Sequence, residues 1–149
     1  MKKVISFCLL LAVMVSCGSL NQKAQTGLKG NWTIASVTYP GSEYIKVTSF
    51  DVADAQCFVG SSWNFVSSSN KGTMSLAKAG CPSFSSPIIW TVTKTGDFTL
   101  KITEGQKAKR VTEGYFLKMQ SQTETSFQLV DNVTVGGKSV PVTYTFMKN

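Results

Sequence analysis

Histidine is absent from the sequence. Without it there is no Ser-His-Asp or Cys-His triad, no imidazole zinc ligand and no imidazole acid or base working near neutral pH. Charge is scarce too: 15% of residues are charged, eight acidic against 15 basic, so neither a disordered polyelectrolyte nor a long solvated helix fits. No stretch of ten or more residues gathers Ala, Leu, Glu and Lys at helical spacing, and one helical turn near 52–56 is the most that is expected. Cys-x-x-Cys pairs are missing. Of the eight carboxylates, only Asp51 and Asp54 stand close together, and two acids beside a turn ordinarily serve backbone hydrogen bonds. A glycosidase pair or a calcium loop has no support. No catalysis, no metal and no cofactor is therefore expected, and nucleic acid is a poor partner because no recognition motif is present.

What is there begins with an address. Lys2 and Lys3 precede an apolar run from Val4 to Val15, which is a secretory signal too short to span comfortably as a helix. The segment Met14-Val15-Ser16-Cys17 resembles a bacterial lipobox, in which the cysteine receives lipid and becomes the new N-terminus. The resemblance implies a signal peptide over 1–16, lipidation at Cys17 and a mature chain anchored stably in a membrane by several acyl chains. Under the same resemblance, Gly18 rather than Asp after the cysteine leaves sorting to the outer membrane unblocked, and the lack of an acidic run over residues 18–23 points to its periplasmic face. Residues 18–27 are small and polar without apolar periodicity and read, with Cys17, as a flexible tether ahead of a domain over 28–149.

From Leu28 onward, apolar residues recur at every second position in short runs punctuated by Gly, Asn, Ser and Asp. Strands are expected over 31–39, 62–67, 73–77, 88–94, 97–103, 111–120, 124–131 and 140–147, with a tight hairpin turn at Thr95-Gly96. The composition agrees: 34 Ser and Thr and 42% hydrophobic residues. Eight sequential antiparallel strands are best satisfied by an all-β, up-and-down barrel, because closure removes exposed edges, with a sandwich as the alternative. At eight strands the interior either fills with side chains or holds one small ligand.

Leu28-Lys29-Gly30-Asn31-Trp32 is similar to the Gly-x-Trp signature that opens the first strand of lipocalins, and the whole strand pattern resembles the small lipocalin-like lipoproteins of bacteria. That resemblance implies that Gly30 and Trp32 close one end of the barrel and that the other end admits a hydrophobic ligand. No Arg follows the last strand to stack on Trp32, and no second lipocalin motif is found between the sixth and seventh strands.

Cys8 leaves with the signal and Cys17 takes lipid, so Cys57 and Cys81 remain in an oxidising compartment and are expected to form a disulfide. Alternation points Trp63, Phe65, Trp90, Phe98, Tyr115, Phe127, Tyr144 and Phe146 inward, with Ile34, Met74, Leu100 and Leu117. The first seven are the candidate ligand-binding residues; the competing reading is that these rings simply fill the barrel. Lys107, Lys109 and Arg110, with Lys94, Lys101 and Lys118 on outward positions, could meet anionic headgroups, lipopolysaccharide or an acidic partner, or merely keep the sheet soluble. Two functions follow: a lipid-anchored binder of a small hydrophobic molecule, or a filled barrel serving as an interaction module in an envelope complex.

Overall fold

The computed structural model describes residues 21–104 and 114–149. Its ten strands are β1 (Gly30–Thr38), β2 (Thr48–Ser49), β3 (Ala53–Asp54), β4 (Ser62–Val66), β5 (Lys71–Leu76), β6 (Phe84–Val92), β7 (Asp97–Ile102), β8 (Tyr115–Gln120), β9 (Ser126–Val135) and β10 (Lys138–Lys148). Eight of them close in the order β1-β10-β9-β8-β7-β6-β5-β4, all neighbours antiparallel. This is the all-β, up-and-down barrel anticipated from alternation; β2 and β3 make a small separate pair.

The pleat explains the closure. Phe98 and Leu100 of β7 are buried between half-buried neighbours, and Val142, Tyr144 and Phe146 repeat the pattern on β10. Period-2 burial on every strand gives one apolar face that water must not touch, and curling the sheet onto itself hides it. In β1 the register slips between Ile34 and Ser36, so Val37 rather than Ser36 faces inward. Gly72 permits the tightest approach in the sheet: a Cβ there would sit 2.0 Å from the Asn64 backbone oxygen.

The last hairpin is longer than expected. Gly136 and Gly137, both at positive φ (56° and 79°), make the two-residue turn that lets β9 run on to Val135 and β10 begin at Lys138. β6 likewise starts at Phe84: residues 84–87 pair with β5 alone, and Pro87, which has no N–H to donate, falls just before the pairing with β7 begins at Ile88. The helical turn expected over 52–56 is displaced: a 3-10 turn covers Ala55–Phe58, capped by Asp54, whose Oδ1 accepts from the Gln56 N–H at 2.9 Å.

One expectation is corrected. Within the stretch read as a flexible tether, α1 (Gln22–Gly27) is a short helix, capped by the Asn21 side chain accepting from the Ala24 N–H at 3.0 Å. It packs on the end of β6 through Gln25, which is 3% exposed. That side chain accepts from the Val92 N–H at 3.1 Å and donates to the Asn70 side chain. A helix that docks by feeding polar groups to strand ends leaves no apolar periodicity to read. Residues 1–20, including the signal segment, Cys17 and the first part of the tether, lie outside the described residues, as do Lys107, Lys109, Arg110 and the start of the sixth expected strand.

Candidate functional site: the ring-filled barrel and its two ends

The barrel has two unlike ends. At one, α1 covers the turns that join β4 to β5, β6 to β7 and β8 to β9. Here Trp32 is fully buried, its indole N–H donates to the Leu28 carbonyl at 2.8 Å, and its ring meets Phe127 edge-on at 4.7 Å. Gly30 starts β1 at φ 122°, and the Lys148 ammonium lies 5.5 Å from the centre of the Trp32 ring. The cation that the sequence lacks as Arg is thus supplied as Lys from the end of β10.

At the other end, residues 39–61 return from β1 to β4 across the barrel mouth. This connection delivers two rings, Phe50 and Phe58, 6% and 0% exposed. Phe50 reaches its place with φ at 53°, and Asp51 follows with the same value. The left-handed region is uncommon for a bulky residue and costs on the order of 1–2 kcal/mol per residue. Phe50 stacks on Tyr144 at 5.3 Å and meets Phe58, Tyr115 and Trp63 edge-on at 5.3, 5.1 and 6.5 Å. Sequence reasoning missed both rings because they fall between strands, where alternation says nothing about direction. The one available signal was two large apolar residues in a stretch that was otherwise loop.

Between the ends the axis is occupied by rings in mutual contact. Phe127 stacks on Phe146 at 4.5 Å, Phe146 meets Trp63 at 5.6 Å, Phe65 meets Trp90 at 5.0 Å, and Trp90 stacks on Phe98 at 5.9 Å. Of the seven residues singled out as candidate ligand contacts, six are at most 3% exposed in this core; Tyr115 is half-buried at the mouth. The structure therefore brings them together, and Phe50 joins them. All three indole N–H groups bond within the protein: Trp63 to the Ser61 hydroxyl and Trp90 to the Lys71 carbonyl, each at 2.9 Å, and Trp32 as above.

The mouth is also where polar groups collect. The Tyr144 hydroxyl lies 2.5 Å from that of Ser49, and burial pushes it well above the usual tyrosine range, helped by the nearby Asp131 charge. Asp131 follows Phe127 and Leu129 on the inward face of β9, and burial holds its carboxyl above the ordinary value. Tyr115 donates to Asp51 at 3.1 Å, and Tyr39 to the Ile45 carbonyl at 3.1 Å. The Tyr39 hydroxyl is raised by burial and by the charge of Asp54.

The expected disulfide is present: Cys57 in the 3-10 turn is bonded to Cys81 in the β5–β6 loop, with Cα atoms 5.7 Å apart. It ties the mouth-covering connection to the neighbouring rim. Hydrogen bonds from Gln56 to the Val37 carbonyl and from Lys78 to the Gln56 carbonyl, both at 3.0 Å, add to this attachment. Outside, Lys94 is exposed, Lys118 is exposed and paired with Asp97 at 3.0 Å, and Lys101 is half-buried. Among the described residues no group of three His, Cys, Asp or Glu side chains could hold a metal ion. An open groove of about 390 Å³ runs between α1 and the β8–β9 turn, lined by Asn21, Lys23, Ala24, Gly27 and residues 122–124.

No protein-family model matches the chain, and no curated protein matches it. Among solved structures, a bovine odorant binding protein in complex with a selenium-containing odorant matches with 13% identity over 84% of this chain and 72% of that one, at a TM-score of 0.47. An odorant-binding protein from bovine nasal mucosa gives 15% identity over 83% and 72%, at 0.46. A further odorant-binding protein gives 11% over 84% and 73%, at 0.47. The barrel architecture itself rests on the chain's own strand pairing.

Proposed function

We propose that the chain is a noncatalytic, lipid-anchored, lipocalin-like barrel of the bacterial envelope, held through Cys17 at the periplasmic face of the outer membrane. Its mouth takes a small hydrophobic molecule in the place of Phe50. The observation that carries this reading is how Phe50 arrives. Most rings of the axis stand on barrel strands and cannot leave without unpairing the sheet. Phe50 comes from a connection, sits in a left-handed conformation unfavourable for phenylalanine, and fills a cage made by Phe58, Trp63, Tyr115 and Tyr144. Strain of this kind persists only while the surroundings hold it, and it concentrates at ligand clamps and switch regions. A ligand ring that replaces the phenyl group releases the strain and keeps the ring contacts, each worth about 0.5–1.5 kcal/mol beyond burial.

The second reading, a permanently filled barrel that binds a protein partner through its outer surface, is favoured by the attachments of the same connection. The disulfide and the Gln56 and Lys78 hydrogen bonds fasten it to the rim. Native mass spectrometry of the chain recovered from its own membranes separates the two. The ligand reading expects a fraction of molecules to carry one small apolar compound released by organic solvent. A chain recovered empty and in stoichiometric complex with another envelope protein would replace it with the second.

A further inference from the structure

We infer that the α1 end of the barrel is held face-on against an anionic lipid bilayer, with the mouth pointing away from it. The inference rests on the lipid-anchor part of the reading above and is independent of what the mouth binds.

The first observation is where the chain emerges. The Asn21 N–H donates to the Val92 carbonyl at 2.8 Å, so the backbone is already pinned to the end of β6 before α1 begins. Cys17 stands four residues earlier. Four residues reach at most about 14 Å even when fully extended. The nine residues of β1 cover about 30 Å along the strand, so the mouth lies far beyond that reach unless the barrel rests on its side. A tether that looked ten residues long in the sequence is shortened to a few by α1.

The second observation is the charge at this end. Lys23 on α1, Lys29 ahead of β1, Lys71 at the start of β5, Lys94 in the β6–β7 turn, Lys118 on β8 and Lys148 on β10 gather there. Against them stand two carboxylate side chains, Asp97 and Glu124, and Asp97 is engaged by Lys118. The mouth side is close to balanced: Glu43, Asp51, Asp54, Glu104 and Asp131 stand against four lysines among the described residues, and the sequence between β7 and β8 adds Lys107, Lys109 and Arg110 against Glu113. A tether of at most about 14 Å lets this basic face approach lipid to within the Debye length of about 8 Å, over which anionic headgroups attract lysine. Tyr44, exposed in the mouth-covering connection (88%), then faces water.

The test is lysine acylation footprinting of the lipidated full-length mature chain. It is reconstituted in phosphatidylcholine vesicles with and without phosphatidylglycerol and read by peptide mass spectrometry. With the anionic lipid, Lys23, Lys29 and Lys94 should react several-fold more slowly while Lys46, Lys78 and Lys138 at the mouth keep their rates. The difference should vanish in about 1 M salt, where the screening length falls to about 3 Å. Lys71 and Lys148, exposed at the same end, should share the protection in the wild type and lose it in the triple variant Lys23→Glu/Lys29→Glu/Lys94→Glu, whereas in Lys107→Glu/Lys109→Glu/Arg110→Glu they should keep it. Equal labelling of the two ends, or protection of the mouth, overturns the orientation. A Cys17→Ser chain that floats with vesicles in high salt as well as the wild type overturns the anchor itself. Release of that variant alongside equal labelling overturns the docking alone.

Discussion

Phe50 holds the mouth closed, and its removal has a readable consequence for stability. Truncation to alanine leaves a hole among four rings, so Phe50→Ala should lower the unfolding free energy in urea by about 3–5 kcal/mol, less whatever backbone strain the smaller side chain relieves. Phe50→Leu, which keeps most of the volume, should cost clearly less. Asp131 gives a pH signature. Its carboxyl is held above the ordinary 3.8 by burial, so the folded chain binds that proton more tightly than the unfolded one. Stability associated with the protonated form is full at low pH and is lost as pH rises through the folded value. Asp131→Asn should therefore be more stable than wild type at pH 7, with the gap closing as pH falls through the raised folded value and gone below about 4, as checked by thermal melts across that range. At this scale the inward strand residues were legible because pleating forces alternation. Phe50 and Phe58 were not, because a loop residue's direction depends on tertiary packing.

Among the elements, the connection over residues 39–61 and helix α1 govern the two ends. Replacing both Cys57 and Cys81 by serine opens a loop of 24-residue separation and should cost about 3.5 kcal/mol in denaturant unfolding on the chain-entropy argument. If the connection is the gate, the same variant should also take up an apolar probe faster than the wild type. Gln25→Ala leaves the Val92 N–H without its side-chain acceptor and should cost about 1–3 kcal/mol, seen as loss of amide-exchange protection at Val92. The eight barrel strands were readable in order and in which face turns inward, with ends displaced by up to four residues. The overrun of β9 and β10 was hidden in Gly136-Gly137, a turn signal that was not used. Helix α1 was hidden because its buried contact is Gln25, a polar side chain whose partners are backbone groups in distant strands.

For the whole molecule, the serine and threonine content and eight runs of alternating apolar residues favoured a closed barrel over a sandwich. What lay beyond composition was how completely rings fill it and which of them is not part of the wall. That distinction is the difference between a scaffold and a binder. It reduces to whether the wild-type mouth exchanges Phe50 for a ligand. The most direct measurement is a fluorescence titration of the intact chain with an environment-sensitive apolar aromatic probe, following energy transfer from tryptophan, with Phe50→Ala beside it. Saturable binding of one probe per wild-type chain is expected, and several-fold tighter binding once the competing phenyl group is gone. No saturable binding to the wild type, with binding confined to the cavity created in Phe50→Ala, would contradict it.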